Sequence, residues 1–148
     1  MEQGVRIRCA GLLMRDGRIL MESLVDAERW SPVGGGLEPG ETVPEAIQRE
    51  FREELGWDVT VGEMVVVTDD LFANDGRSEH AITFFALVEG GPGDGALPPR
   101  PPGEDHQELA WIPLAQLGEL TLLPQHLAED IPAALSAGQL VFHSERRI

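Results

Sequence analysis

Hydrophobic and polar residues alternate near the start of the sequence in a way typical of β-strands. Residues 5–13 are rich in β-branched and apolar side chains, and residues 19–24 form a second such run. Between the two runs stands Arg15-Asp16-Gly17-Arg18. An Asp-Gly pair between two strand-like runs is a strong signal for a tight turn, so this region is predicted to form a β-hairpin.

A loop and then a helix are predicted next. Residues 31–40 read SPVGGGLEPG, and this concentration of glycine and proline predicts a loop without regular structure. Thr42 is a suitable N-cap, and Pro44 suits the first turn of a helix. Gly56 is expected to end the helix. Between these signals the apolar residues recur at helical spacing: Val43, Ala46, Ile47, Phe51 and Leu55.

The remaining pattern predicts further strands and one more helix. Residues 59–67 and 81–88 are predicted strands, joined by a polar loop at residues 69–79. Residues 90–103 contain too much glycine and proline for regular structure. A short strand at residues 109–112, a helix at 123–137 and a last strand at 140–143 follow. We therefore expect one domain over residues 1–148, of the α/β class, with a mixed sheet flanked by helices.

The net charge of −15 excludes one class of partner. Binding to a nucleic-acid backbone requires a basic surface that displaces counterions, so we expect no nucleic-acid partner. Most of the surplus carboxylates are interpreted as solvated surface charge. A small phosphorylated substrate stays possible, because a bound divalent cation reverses the local sign of the electrostatic field.

The sequence shows no membrane-spanning segment, no signal-peptide pattern and no second cysteine for a disulfide bond. No apolar run approaches the ~20 residues that span a bilayer, so no membrane association is expected. Arginines and Asp16 interrupt the N-terminal segment, which therefore does not resemble a signal peptide. The one cysteine, Cys9, is interpreted as a small core residue. These features predict a cytoplasmic protein.

Three glutamates in the first predicted helix form a candidate metal site. Glu50, Glu53 and Glu54 are spaced i, i+3, i+4 and share one side of the helix. A solvated acidic face is the simplest interpretation, but at about 100° per residue Glu54 projects between Ile47 and Phe51 of the apolar stripe. Glu50 projects near the edge of that stripe. Inward carboxylates are costly unless a cation compensates, and oxygen ligands favour Mg²⁺ or Mn²⁺ over zinc.

The glycine triplet Gly34-Gly35-Gly36 strengthens this interpretation. Glycines allow a ligand to approach the backbone closely, and a loop that leads into a helix N-terminus suits a phosphate group. Alone, the triplet is weak evidence. Together with the clustered glutamates it predicts a site for a metal ion and a phosphate.

The same residues resemble the Nudix box. Gly35, five residues, Glu41, seven residues and then REFREELGW (residues 49–57) match that 23-residue pattern without a gap. The flanking segments WSPV (30–33) and ELAWIPL (108–114) are also similar to the family. The resemblance implies an α/β/α sandwich in which residues 35–57 form a loop, a helix and a loop. It also implies a Mg²⁺-dependent pyrophosphohydrolase, with Mn²⁺ as a possible substitute, acting on a nucleoside diphosphate linked to a group X.

The resemblance further implies roles for individual residues. Glu50, Glu53 and Glu54 would bind the metal, together with the carbonyl oxygen of Gly34. Arg49 would pair with Glu41 or Glu53 and orient the carboxylates. The residues so assigned to catalysis are Glu41, Arg49, Glu50 and Glu53, and those assigned to substrate binding are Gly35, Gly36 and Glu108.

The proton acceptor is left open by the sequence. In the implied reaction, metal-activated water attacks one phosphorus of the diphosphate and a carboxylate takes the proton. The family uses either a box glutamate, here Glu53, or a carboxylate on a late loop. The late-loop candidates in this chain are Glu104, Asp105 and Glu108.

The substrate and the rival functions stay open at this point. Members of the family that act on diadenosine polyphosphates often carry a tyrosine beyond the box, and some ADP-ribose hydrolases carry a proline there. This chain has no tyrosine and no proline between Pro44 and Pro92, so the resemblance weakens these two substrate classes. Nucleoside triphosphates, nucleotide sugars and ADP-ribose are retained. A catalytically silent nucleotide-binding domain is the alternative, and a prenyl diphosphate isomerase would require a catalytic cysteine in the site. A homodimer is possible.

The remaining aromatic and histidine residues carry weaker predictions. Trp30 and Phe72 could stack on a base, although packing is an equally good interpretation of each. The histidines lack the paired spacing of metal ligands, so we expect structural or surface roles for them. They are His80, His106, His126 and His143.

Overall fold

The computed structural model describes residues 4–24, 28–99 and 107–147. Strands β1 and β2 are followed by the short strands β3 and β4 and by helix α1. Two long strands, β5 and β6, lead to β7, a 3₁₀ turn, helix α2 and the last strand, β8. The bounds are β1 Val5–Arg15, β2 Arg18–Leu24, β3 Arg29–Pro32, β4 Gly34–Gly36, α1 Val43–Leu55, β5 Val59–Asn74, β6 Arg77–Gly90, β7 Gln107–Pro113, the 3₁₀ turn Leu114–Glu119, α2 Leu127–Ala137 and β8 Val141–Arg147.

The strands form one mixed sheet, as predicted. Its order is β3-β2-β1-β6-β5-β8, with β4 paired to β1 and β7 paired to β2. Strands β1 and β6 are parallel, as are β5 and β8, and the other pairs are antiparallel. The predicted hairpin between β1 and β2 is confirmed, since Asp16 and Gly17 occupy its turn with φ of 52° and 75°.

Two hydrophobic clusters place the helices on opposite faces of the sheet. Cys9 belongs to the cluster that contains Phe51 of α1, whereas the next residue, Ala10, belongs to the cluster that contains Ile131 of α2. Successive residues of a strand point to opposite faces, so the two clusters lie on either side of the sheet. The α/β/α sandwich is therefore confirmed.

Helix α1 begins and ends where the sequence predicts. Thr42 accepts a hydrogen bond from the backbone N–H of Glu45, whose carboxylate accepts one from the N–H of Thr42. This reciprocal capping box satisfies two donors that the first turn would otherwise leave unpaired. Gly56, at φ 71°, ends the helix in the left-handed conformation that glycine adopts without strain.

The loop predicted at residues 31–40 is partly wrong. Residues 29–32 form β3, and the glycine triplet forms β4, in which Gly34 and Gly35 pair with Ala10 and Cys9 of β1. The reason is close packing of the two backbones. A Cβ atom on Gly34 would stand 2.1 Å from the carbonyl oxygen of Cys9, so only glycine fits at this point.

The polar loop predicted at residues 69–79 is also wrong. Strands β5 and β6 run through this segment to a two-residue turn at Asp75-Gly76, with φ of 51° and 75°. This is the same Asp-Gly turn chemistry as in the first hairpin. The polar side chains favoured a loop, but cross-strand pairing accommodates them.

The C-terminal elements differ from the prediction at their ends. Helix α2 begins at Leu127 instead of residue 123, and β8 runs to Arg147 instead of stopping at residue 143. The extra length of β8 comes from its parallel pairing with β5, which places Arg147 opposite Phe72. None of the helices in the described ranges has both the length and the apolar character that crossing a bilayer requires.

Candidate active site

The three glutamates of α1 differ in exposure as the helical geometry predicts. The apolar stripe of the helix is buried at Ile47 and Phe51. The Glu50 side chain, at the edge of this stripe, is 12% exposed, whereas that of Glu53 is 58% exposed. Glu54 is half-buried, and one of its carboxylate oxygens is fully buried. Two carboxylates therefore face the body of the protein and one lies at its rim.

Arg49 connects the carboxylates to one another. Its Nε and Nη2 atoms donate to the two oxygens of Glu41, at 3.0 and 2.7 Å, in the bidentate geometry that a planar guanidinium suits. Its Nη1 atom donates to Glu50 at 3.0 Å and to Glu53 at 3.3 Å, and Nη2 also donates to the Gly36 carbonyl. The hydrogen bond from Arg49 lowers the pKa of Glu41. We call Arg49, Glu41, Glu50 and Glu53 the carboxylate cluster.

Arg49→Lys is expected to reduce kcat by about 10- to 100-fold, the usual cost of losing a residue that orients metal ligands. Lysine keeps the charge but offers a single ammonium group, which cannot reach Glu41 bidentately and Glu50 at the same time. Steady-state kinetics measure the effect. Arg52→Lys is the control, because Arg52 is an exposed residue of the same helix and pairs with Asp58 instead. Wild-type kinetics in Arg49→Lys would contradict this role.

The glycine strand β4 brings the backbone against the carboxylates. A Cβ atom on Gly35 would stand 2.3 Å from Oε1 of Glu50, so that carboxylate lies directly over the Gly35 α-carbon. The N–H of Gly34 donates to Glu22 at 3.2 Å. Glu22 lies in β2 and is 7% exposed. Sequence reasoning missed it, because a single glutamate in an apolar strand carries no motif.

The donor set has the oxygen chemistry that a hard divalent cation such as Mg²⁺ requires. The carboxylates of Glu50, Glu53 and Glu54 do not close into a three-ligand cage. In the described part of the chain, the side-chain oxygens and nitrogens that converge in threes within 4.8 Å belong to other residues. Mg²⁺ is usually bound by one or two carboxylates together with water and substrate phosphates, and seldom by an all-protein cage. Two inward glutamates beside a glycine backbone match that requirement.

A pocket of about 290 Å³ lies next to the glycine strand and is lined by several arginines. Four of the eleven basic residues of this acidic chain line it. We call it the arginine pocket, and its charged residues are Arg6, Arg8, Arg29, Arg147, Asp70 and Glu79. Gly34 and Gly35 also line it, so the pocket and the carboxylate cluster share β4. The pocket is therefore suited to an anion that reaches the glutamates.

Arg8 links the pocket electrostatically to the carboxylates. Burial and the neighbouring Arg6 lower its pKa, while Glu50 and Glu22 act in the opposite direction. A phosphate group in the pocket would contact the Arg8 guanidinium, whose positive charge Glu50 and Glu22 neutralise only in part. Sequence reasoning did not single out Arg6 or Arg8, since their alternation in β1 reads as the polar face of a strand.

The far end of the arginine pocket is aromatic. Phe72 lines it, and the guanidinium of Arg147 lies 5.5 Å from the Phe72 ring centroid. Trp30, the other aromatic residue considered for base stacking, packs against the cluster around α2 instead. Of the two, the structure places Phe72 where a planar ligand group can bind.

The other predicted residues lie at or beyond the margin of the site. Gly36 does not line the pocket, although its carbonyl accepts from Arg49. Glu108 is exposed in β7, opposite Ser23, and does not line the pocket either. Glu104, Asp105 and His106 lie outside the described residues.

Cys9 is fully buried beneath α1, and burial raises the pKa of its thiol to about 11. Such a thiol is neutral at physiological pH. The core role predicted for Cys9 is therefore confirmed, and the chemistry that a cysteine-dependent isomerase requires is missing at this residue.

Comparison with known proteins agrees with this geometry. A family model for the NUDIX domain matches residues 4–133. The nucleoside triphosphatase NudI of Escherichia coli O1:K1 is 31% identical over 111 residues, which cover 68% of this chain and 77% of NudI. The crystal structure of a MutT NUDIX hydrolase from Burkholderia pseudomallei is 28% identical with a TM-score of 0.67, over 87% of this chain and 99% of that one.

A MutT protein from Bacillus halodurans shares the fold with a TM-score of 0.70 at 19% identity, over 93% of this chain and 89% of that one. The matched family region contains the whole box, the glycine strand and most of the arginine pocket. This chain belongs to the Nudix family of pyrophosphohydrolases.

Proposed function

We propose that the protein hydrolyses a nucleoside triphosphate in the presence of Mg²⁺ and releases a nucleoside monophosphate and pyrophosphate. The observation that carries the proposal is the arginine pocket, whose cations adjoin the carboxylates through Gly34 and Gly35. In a chain with net charge −15, four arginines around one cavity are a local reversal of sign. The relatives named nucleoside triphosphatase support the same substrate class.

The size of the pocket favours a substrate with one nucleoside and no further sugar. At about 290 Å³ it lies at the small end of ligand pockets, which range from roughly 300 to 1,000 Å³. A nucleoside triphosphate needs room for one base and one ribose, with its phosphates outside among arginines and metal. ADP-ribose and nucleotide sugars carry a further sugar, together with fewer negative charges for the arginines to bind.

Different residues of the pocket bind different parts of the substrate. Arg8 and Arg6, on the β1 side beside the glycine strand, take the phosphates. Phe72 and Arg147, at the far wall, take the nucleoside end. Stacking on an aromatic face and contact with a guanidinium suit a planar base.

Glu50 and Glu54 would hold the metal, with the Gly34 carbonyl as a further oxygen ligand. When bound, the metal lowers the pKa of a bound water and neutralises charge on the phosphate oxygens. Arg49 keeps Glu50 in place, and Glu22 accepts a hydrogen bond from the N–H of Gly34, in the peptide that precedes this carbonyl.

Glu53 is the proton acceptor in this proposal. It is the solvent-facing member of the carboxylate cluster, while Arg49 positions it at 3.3 Å. Glu108, the one late-loop candidate among the described residues, is exposed in β7 and does not line the pocket.

A substrate panel tests the substrate class. We expect kcat/KM with Mg²⁺ to be at least about tenfold higher for a nucleoside triphosphate than for a nucleotide sugar or ADP-ribose. Arg8→Gln is expected to raise KM for the triphosphate by about tenfold or more, since a hydrogen bond between charged groups contributes roughly 1.5–3 kcal/mol. Steady-state kinetics measure both quantities: kcat/KM of the wild type for each substrate, and KM of Arg8→Gln for the triphosphate.

The matched control is Arg52→Gln, which removes an exposed arginine whose partner is Asp58. It should leave KM within about twofold, because exposed ion pairs contribute little. A preference for ADP-ribose or nucleotide sugars would refute the triphosphate assignment. A nucleotide that raises the melting temperature without any turnover would favour a silent binding domain.

A further inference from the structure

A chain of charged groups extends from the arginine pocket into the interior of the protein. Asp70, in β5, lines the pocket and is 3% exposed. Its Oδ1 atom accepts hydrogen bonds from Nη1 of Arg147 at 2.9 Å and from Nε2 of His126 at 2.8 Å. His126 stands immediately before helix α2, and its side chain is 5% exposed. A buried histidine thus lies directly behind the pocket wall.

Both ring nitrogens of His126 face carboxylates. Nε2 meets Asp70, and Nδ1 lies 2.5 Å from Oδ2 of Asp130, one turn further along. An ionised carboxylate can accept a hydrogen bond but cannot donate one, so between two ionised carboxylates each ring nitrogen carries a proton. The geometry therefore favours an imidazolium ion at His126.

The pKa of His126 follows from the same contacts. Burial alone would lower it, but the hydrogen bonds with Asp70 and Asp130 outweigh burial and raise it. For Asp70, burial acts to raise the pKa, while the bonds from His126 and Arg147 lower it overall. The charged state of each group thus depends on the other.

Among the described residues, the titratable groups packed around His126 come from three elements. Asp130 comes from α2 and Asp70 from β5. From β8, the His143 ring stacks on that of His126 with centroids 3.8 Å apart, and its Nδ1 atom lies 2.9 Å from Asp130. Glu145, also in β8, lies 3.8 Å from Nε2 of His143 and contacts Arg147.

The distances between these groups suit hydrogen bonds better than coordination of a metal ion. His126, Asp130 and His143 offer three possible metal ligands within 4.8 Å of one another. Ligands around tetrahedral zinc, at bond lengths of about 2.0–2.1 Å, would be separated by about 3.3 Å. The separations of 2.5 and 2.9 Å are those of hydrogen bonds.

We propose that His126 is a positioning residue for the arginine pocket, and that as an imidazolium it holds Asp70 and Arg147 where the nucleoside end of the substrate binds. This inference rests on the proposed function, because it assumes that a nucleotide occupies the pocket. Loss of the proton from His126 removes one of the two cations that hold the Asp70 carboxylate. Substrate affinity is therefore retained below the raised pKa of His126 and falls as the pH rises through it.

Equilibrium binding of a non-hydrolysable nucleoside triphosphate analogue with Mg²⁺, measured by calorimetry across pH, tests the proposal. We expect wild type to lose affinity on the alkaline side. His126→Gln, which cannot carry the charge, should bind at least about tenfold more weakly and without that alkaline loss. In kinetics the same variant should raise KM and leave kcat within about threefold.

His80→Gln is the matched control. His80, in β6, also pairs with an aspartate of β5, since its Nε2 atom lies 2.6 Å from Oδ1 of Asp69, but neither residue lines the arginine pocket. It should leave affinity and its pH dependence unchanged. Equal affinity of wild type and His126→Gln would overturn the proposal.

Two further measurements keep the test decisive if His126→Gln does not fold. Asp130→Asn removes one flanking charge without altering the pocket wall, so the alkaline loss should move to lower pH; an unmoved profile would overturn the proposal. Nitrogen-15 spectra of the His126 ring should still show an imidazolium at a pH above about 6.5, the ordinary pKa of histidine. A neutral ring there, or one bound zinc per chain, would also overturn it.

The spectra require no substrate, so they separate the two claims. Wild type that fails to bind any triphosphate analogue refutes the proposed function. Wild type that binds it with a neutral His126 refutes the positioning role alone.

Discussion

Glu54→Gln is expected to lower kcat for Mg²⁺-dependent hydrolysis by about 10³-fold, which corresponds to about 4 kcal/mol of transition-state stabilisation. Glutamine keeps the size of the side chain and one carbonyl oxygen but loses the negative charge that a hard cation requires. The loss should exceed the roughly 10- to 100-fold expected for residues that only orient ligands, such as Arg49. Steady-state kinetics with varied Mg²⁺ measure it.

The fold of the Glu54→Gln variant should be preserved, because the substitution is isosteric and the helix keeps its caps. Glu63→Gln is a suitable control, since Glu63 is an exposed glutamate in β5. It should leave kcat unchanged. Activity in Glu54→Gln within about tenfold of wild type would mean that Glu54 does not bind the metal.

Gly35→Ala is expected to reduce kcat by about 100-fold while the protein stays folded. The added Cβ atom would stand 2.3 Å from Oε1 of Glu50, so the carboxylate must move by about 1 Å, and a displacement of that size can reduce a rate by about 10²-fold. The atom that must move is the end of a flexible side chain, so the backbone can stay in place. Kinetics together with a thermal unfolding curve separate the two effects.

The neighbouring glycines make this prediction specific. On Gly34 a Cβ atom would meet the Cys9 backbone at 2.1 Å, so Gly34→Ala should lower the melting temperature. On Gly36 it would meet nothing within 4 Å, so Gly36→Ala should cost at least about tenfold less activity than Gly35→Ala. Equal activity losses at all three positions would show that the contact with Glu50 is not the cause.

The sequence predicts the local elements of this fold well where one residue determines the backbone. Thr42 and Gly56 define the ends of α1, and Asp16-Gly17 defines the first hairpin. The errors come from tertiary pairing. Polar residues near Asp75 suggested a loop although two long strands pair there, and the glycine triplet forms a strand because β1 packs against it.

The candidate site likewise contains residues that the sequence predicts and residues that only the tertiary structure brings together. The positions of Glu50, Glu53 and Glu54 follow from helical periodicity, and the pairing of Arg49 with Glu41 was expected from the family resemblance. Residues that contribute singly from distant strands could not be found from periodicity. Glu22 adjoins Gly34, and Asp70 meets His126 across 56 positions of sequence. Such contacts are created by the topology of the sheet and have no local signal.

We infer that the carboxylate cluster and the arginine pocket act together on a nucleoside triphosphate. Phosphorus-31 spectra of the products, taken with Mg²⁺ and again with excess chelator, test it most directly. We predict a nucleoside monophosphate and pyrophosphate in equal amounts, formed with Mg²⁺ and not with chelator. Release of orthophosphate and a nucleoside diphosphate, or turnover that persists with chelator, would contradict it.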